Sequence, residues 1–291
     1  MTKTAKRARS VICTLLAFLL ALSVTLTLIC ASLALSALNP DFAVKIAARS
    51  QYSEHLAAEL KEEFISYGNA CNIDESFFDA VFSDDITPAQ IDADTQTVLR
   101  EFYAGEVQDK VSTDSLHDLL LTRLTDYAVR KGFTVEPTAE NELYQNLCTI
   151  ADELCDIYNA YVSVFSISVF KTASRMLATY RPYAWYGAGA GAVLFVISAV
   201  LLRLYYQKRK NFLRFFIYGF SASALMLAVA PAAALLMRIG NQINIASASL
   251  YDLATDMING TLVAVLISAV VPAAITVLLA FVRQNAVKNN R

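Results

Sequence analysis

The two histidines and a set of closely spaced acids are the residues whose types and spacing could do chemistry. His55 and Glu59 stand four apart, so on a helix they share one face, with Glu62 or Glu63 in reach as a third ligand. An imidazole and two carboxylates could hold a zinc-type ion. A solvated polar helix face has the same spacing, and that reading is preferred. Asp84, Asp85, Asp92 and Asp94 form the second set. Asp92-Ala93-Asp94-Thr95-Gln96 is similar to the first half of a calcium loop. It lacks glycine at the sixth position, and its twelfth is Tyr103 rather than glutamate. These acids could still gather a divalent cation between two helices, but acids near helix N-termini need no ligand to explain them. His117-Asp118 reads as a capping pair at a helix start.

The chain has five cysteines. Cys13 and Cys30 lie in a hydrophobic stretch and read as apolar filler. Cys148 and Cys155 are seven apart, about 10.5 Å along one helix, too far for a disulfide within it. Cys71 could bridge to either, but three free thiols is the preferred reading, because a domain of about 140 residues needs no staple. No Walker sequence, nucleophile elbow, Cys-x-x-Cys pair or His-Glu-x-x-His is present. No catalytic residue, cofactor or metal is therefore expected, and the chain is read as a non-enzyme.

The elements that must position these residues are dominated by membrane-type segments. Apolar residues make up 56% and the mean hydropathy is +0.44. Four stretches are long enough for a bilayer core of about 30 Å: 11–38, 183–206, 215–237 and 261–282. The first has a basic start and a 28-residue apolar run, so it reads as an uncleaved signal anchor, not a cleaved leader.

Charge sets the orientation. All 26 acidic residues fall between spans one and two or between spans three and four. The remaining segments hold only bases: Lys3, Lys6, Arg7 and Arg9; then Arg203, Lys208, Arg209, Lys210 and Arg214; then Arg283, Lys288 and Arg291. Positive flanks stay cytoplasmic, so both termini are expected inside a cell membrane. Residues 1–10 form a basic N-terminus and 39–182 an acidic extracytoplasmic domain. Residues 207–214 and 238–260 are short loops inside and outside, and 283–291 is a cytoplasmic tail. The outer domain carries 24 acids against 11 bases, which argues against a nucleic-acid partner.

That domain reads as a bundle of about four main helices. One starts at Asn39-Pro40 and carries Phe42, Ile46, Leu56, Leu60 and Phe64 to a stop at Gly68. A short helix fits 74–82. Thr87-Pro88 starts another, ended by Gly105, and 113–131 a further one, ended by Gly132. The last begins near Thr138, with a possible break in the β-branched run 162–169. The first and last are expected to run nearly continuously into spans one and two. In the spans, Gly187 and Gly191 form a small-residue face that allows close contact or self-association, and Ala224 and Ala228 do so more weakly. Pro231 and Pro272 are expected to kink spans three and four.

The fold class expected is an all-α integral membrane protein: four transmembrane helices, with a helical bundle inserted between the first two. No ionisable residue lies deep in a span, which argues against a self-contained coupled transporter. The expected function is ligand or partner binding by the outer domain, for sensing or scaffolding. The lipid bilayer and a protein partner or second copy are the expected partners. The order of one span, a large outer domain and three further spans is similar to that of large-loop ABC permeases. That resemblance implies the alternative, a permease-like subunit of a transport or mechanotransmission complex. The outer domain here reads as all helix and the 207–214 loop is short, so no functional residue is carried over.

Overall fold

The structure, a computed structural model, describes residues 3–108, 111–138, 141–205, 209–245 and 247–288; for 3–10, 209–211 and 286–288 it describes the backbone alone. Helix is the only regular structure among them. The order is α1 Lys3–Leu35, α2 Pro40–Arg49, α3 Tyr52–Ala70, α4 Glu75–Asp84, α5 Pro88–Ala104, α6 Asp114–Arg130, α7 Glu142–Val162, α8 Ser168–Tyr205, α9 Arg209–Leu236, α10 Ala248–Ser268 and α11 Val270–Lys288. Four stretches are long and apolar enough to cross a membrane: Val11–Leu35, Ser168–Tyr205, Phe212–Leu236 and Ala248–Asn285. The chain divides into two compact units. One comprises Met1–Ala43, Thr179–Asn244 and Ala254–Arg291, the other Val44–Ala178 and Ile245–Leu253.

The first unit holds the apolar helices. Cys13, Ala17, Leu20 and Val24 of α1 pack with Leu202 of α8 and with Phe215 and Phe220 of α9, while Ile275 and Leu279 of α11 close the cluster. Gly187 and Gly191 of α8 lie against α1. A methyl on Gly187 would meet the Cys30 Sγ at 2.8 Å, and one on Gly191 would meet the Ser23 carbonyl oxygen at 3.0 Å. Thr25 of α1 donates to Ser223 of α9 at 3.0 Å. The opposite faces are bare: Val11, Leu15, Phe18, Leu22 and Leu26 of α1 are exposed at helical spacing, as are Val193, Val196, Val200 and Leu204 of α8. An exposed apolar stripe of that length suits contact with lipid.

The second unit is a bundle of α3 to α7 with large apolar side chains inside. Leu56, Leu60 and Phe64 of α3, Phe78 and Val81 of α4, Ile91 and Leu99 of α5, Leu120 and Leu124 of α6, and Leu154 of α7 are buried. Phe64 meets the rings of Phe78 and Phe82 edge-on at 6.2 and 5.3 Å. Such pairs add about 0.5–1.5 kcal/mol each beyond the area they bury.

Several local readings change. The helix expected from Asn39 to Gly68 is two, because Gln51 takes a left-handed φ of 53° between α2 and α3. Nor does α3 stop at Gly68. It runs to Ala70, and Asn72 (φ 57°) turns the chain. Gly68 serves a different need, since a methyl there would sit 2.1 Å from the Phe78 ring. The last bundle helix starts at Glu142, where the Asn141 side chain accepts from the Leu143 and Tyr144 N–H groups. The break expected in 162–169 is present, as a 3₁₀ turn over Val164–Ser166 before α8. The stretch between Leu35 and Pro40 is a turn, so neither bundle helix is continuous with its span. Pro182, expected at a span boundary, lies inside α8. Of the loop expected over 238–260, residues 248–260 are the first part of α10. The last apolar stretch breaks at Ala269, three residues before Pro272, whose missing N–H leaves the Ser268 carbonyl without its helical partner.

Candidate functional site

A large cavity lies in the second unit. It is an open groove of about 610 Å³, walled by Ile73 after α3, by Leu124 and Ala128 of α6, by Phe133, and by Leu143, Leu147 and Ile150 of α7. Phe133 stands at its edge, 59% exposed. The polar groups at the rim are few. Tyr127 accepts a hydrogen bond from the Asp74 N–H at 3.0 Å, and the Lys131 ammonium pairs with the Asp74 carboxylate at 2.5 Å. Hydrogen bonding to Lys131, then to Tyr127, holds the Asp74 carboxyl below its ordinary range, and the same Asp74 contact raises Lys131. Asn72, Asn146, Thr149 and Cys71 supply the other polar atoms. An apolar trough with a neutralised ion pair at its lip suits an amphipathic occupant. Its volume falls within the roughly 300–1,000 Å³ of small-molecule sites.

The acids that could have gathered a cation are already engaged. Asp85 and Asp94 do line one cavity, of about 240 Å³, with Gln90, Ser112 and Thr113. However, Arg123 binds Asp85 through Nη2 at 3.0 Å and Nε at 2.9 Å, and reaches Asp84 at 3.7 Å. Asp94 accepts from the buried Tyr158 hydroxyl, and burial followed by that bond pushes the phenol well above its ordinary value. Asp92 accepts from Gln96 on its own helix. A cation would have to displace an arginine and a tyrosine proton to enter.

His55 and Glu59 do share a face of α3, but they are spent on α10. Glu59 Oε1 accepts from the Ser249 N–H at 2.8 Å, and Oε2 accepts from the Ser247 and Ser249 hydroxyls at 3.0 Å each. His55 Nδ1 lies 3.2 Å from Asp252. Beside this contact lies a cavity of about 480 Å³, lined by Tyr52, Glu62, Glu63 and Tyr161 among others. Burial, then the Glu63 and Glu59 charges, raises the Tyr161 hydroxyl, and burial with the Glu59 charge raises Tyr52. Nothing in the local sequence foretold the serine contacts, which join residues 188 and 190 apart. Among the described residues no three of His, Cys, Asp and Glu are placed to hold a metal.

His117 is more than a capping residue, since its Nε2 also meets Asp152 of α7 at 3.3 Å. None of the five cysteines forms a disulfide. Burial pushes the Cys155 thiol up to about 11, although its hydrogen bond to Thr113 opposes the shift. Cys71 and Cys148 are half-buried. In the spans, Ala224 and Ala228 are half-buried, while Pro231 and Pro272 are buried. Lys208 lies outside the described residues, as do the side chains of Lys3, Lys6, Arg7, Arg9, Arg209 and Lys210.

Together these features define an all-helical protein with four helices able to cross a membrane and a grooved helical bundle. No protein-family model, no curated protein and no solved structure matches the chain.

Proposed function

We propose that the chain is a multi-pass cell-membrane protein, not an enzyme, whose helical bundle faces away from the cytoplasm and binds an amphipathic ligand or a partner's apolar segment. The groove between α6 and α7 carries this reading, with its apolar walls, exposed Phe133 and ion-paired lip. The orientation rests on the segregation of charge, because every acid falls on one side of the apolar stretches and the segments on the other side hold only bases. Binding without chemistry fits a groove whose one charged residue, Lys131, is already paired with Asp74.

The test uses the full-length chain, purified from native membranes in mild detergent, with mass spectrometry of what accompanies it. Phe133→Glu places a charge in the trough at an exposed position. A bound species present with the unaltered chain and lost from Phe133→Glu, with melting unchanged, supports the reading. A stoichiometric nucleotide-binding ATPase retained by both would overturn it in favour of a permease-like subunit. Membrane-impermeant maleimide on intact cells tests the orientation through Cys71 and Cys148. Labelling only after the cytoplasmic face is opened would reverse it.

A further inference from the structure

The contact between Glu59 and the start of α10 has features that an ordinary helix cap lacks. The first turn of α10 contains no acid of its own, so its free N–H groups and dipole are met by a carboxylate from α3. That one carboxylate takes three hydrogen bonds, all from Ser247 and Ser249. The turn does not depend on it entirely, because the Ser247 hydroxyl oxygen also accepts from the Leu250 N–H at 3.2 Å. The carboxylate has space to leave, since Glu59 itself lines the cavity of about 480 Å³ beside it. Ser249 is fully buried, so departure strands its N–H and leaves its hydroxyl only the Ser247 hydroxyl at 2.9 Å, which favours two discrete states over a gradual slide.

We infer that Glu59 is a releasable latch on the first turn of α10: closed on Ser247 and Ser249, open when its carboxylate swings into the adjoining cavity. His55 and Asp252 form an exposed second tie one turn away along α3. The groups facing the carboxylate are Glu62 and Glu63 of α3, Tyr161 of α7, and Tyr52 at the start of α3. The two acids repel it, and the raised tyrosines stay neutral there. This inference stands apart from the groove and from any ligand in it.

Hydrogen exchange on the full-length chain in lipid nanodiscs tests the latch. In the unaltered protein the Ser249 and Leu250 amides should exchange through local opening, faster than those of Leu60 and Phe64 in the middle of α3. Equal rates would mean that the turn opens only when the bundle unfolds, and would overturn the inference. Glu59→Ala should speed exchange at Ser249 and Leu250 by about tenfold or more, given the worth of bonds to a charged group, and leave Leu60 and Phe64 unchanged. Loss of protection throughout the bundle would make Glu59 a core strut instead. A disulfide from Glu59→Cys with Ser249→Cys keeps the test sharp if the alanine variant folds poorly. It should slow the Leu250 amide to the rate of Leu60, and an unchanged Leu250 rate would refute the latch.

Discussion

The two units solve the same packing problem with opposite materials. In the apolar unit, helices approach through what is missing: Gly187 and Gly191 leave room for Cys30, Thr27 and Ser23, and Gly219 leaves room for Leu20. In the bundle, helices are held apart and filled, by Phe64, Phe78, Leu60 and Leu154, and their ends are tied by caps and ion pairs. The difference follows from the surroundings. Water drives large side chains inward, whereas lipid is as apolar as leucine and rewards only close van der Waals contact and internal hydrogen bonds. The exception in the bundle sharpens the contrast. Gly68 is an empty place too, but it admits an aromatic ring instead of a neighbouring backbone.

Removing filling should hurt most. Phe64→Ala leaves a cavity among three rings and should cost the bundle about 3–5 kcal/mol, read as a lower melting temperature of the full chain in nanodiscs. Adding filling should do the equivalent to the apolar unit. Gly191→Val presses a side chain onto the Ser23 carbonyl and should cost about 1–3 kcal/mol. Gly189→Val is its control, because no atom lies within 4 Å of a methyl there, and it should be near neutral. Equal losses at 189 and 191 would remove the close-approach argument. Asn141→Ala deletes the cap of α7 and should cost about 1 kcal/mol, with faster exchange confined to the first turn. Thr25→Val breaks the α1–α9 hydrogen bond and should cost about 0.6 kcal/mol.

Smallest is the exposed Asp74–Lys131 pair. A carboxyl held below its ordinary 3.8 contributes stability above that value and loses it as pH falls through the lowered one. An ammonium held above its ordinary 10.5 contributes below that value and loses it as pH rises through the raised one. Asp74→Asn should therefore differ slightly from the unaltered chain at pH 7, and the difference should shrink as pH falls below 3.8, as chemical denaturation across that range would show.

Sequence alone carries the parts of this structure that depend on neighbours in the chain. Thr87-Pro88 does cap and start α5, Gly105 (φ 83°) ends it, and Gly132 (φ 90°) follows α6. The four apolar stretches are visible from composition. The missed features were decided by distant contacts. Gln51 has no sequence preference for its left-handed turn, and Gly68 looks like a helix end until Phe78 is placed against it. His55 and Glu59 were legible as a shared face but not as a pair spent on α10, because Ser247 and Ser249 carry no mark of a partner so far upstream. The acids near Asp92 looked available only because Arg123 and Tyr158 are remote in sequence. The groove could not be foreseen from spacing, since the walls that form it come from two helices and two connecting segments.

The Thr25–Ser223 hydrogen bond has a consequence for the order in which the chain is made. Its partners lie 198 residues apart, so at roughly 5–20 residues per second α1 is complete some 10–40 seconds before Ser223 exists. Two of the other hydroxyls on α1 are self-sufficient, because Ser23 donates to the Leu20 carbonyl and Thr27 to the Ser23 carbonyl. Thr25 has to wait. Until α9 arrives the Thr25 hydroxyl lacks its Ser223 partner, and whatever shelters it during those seconds has to let go.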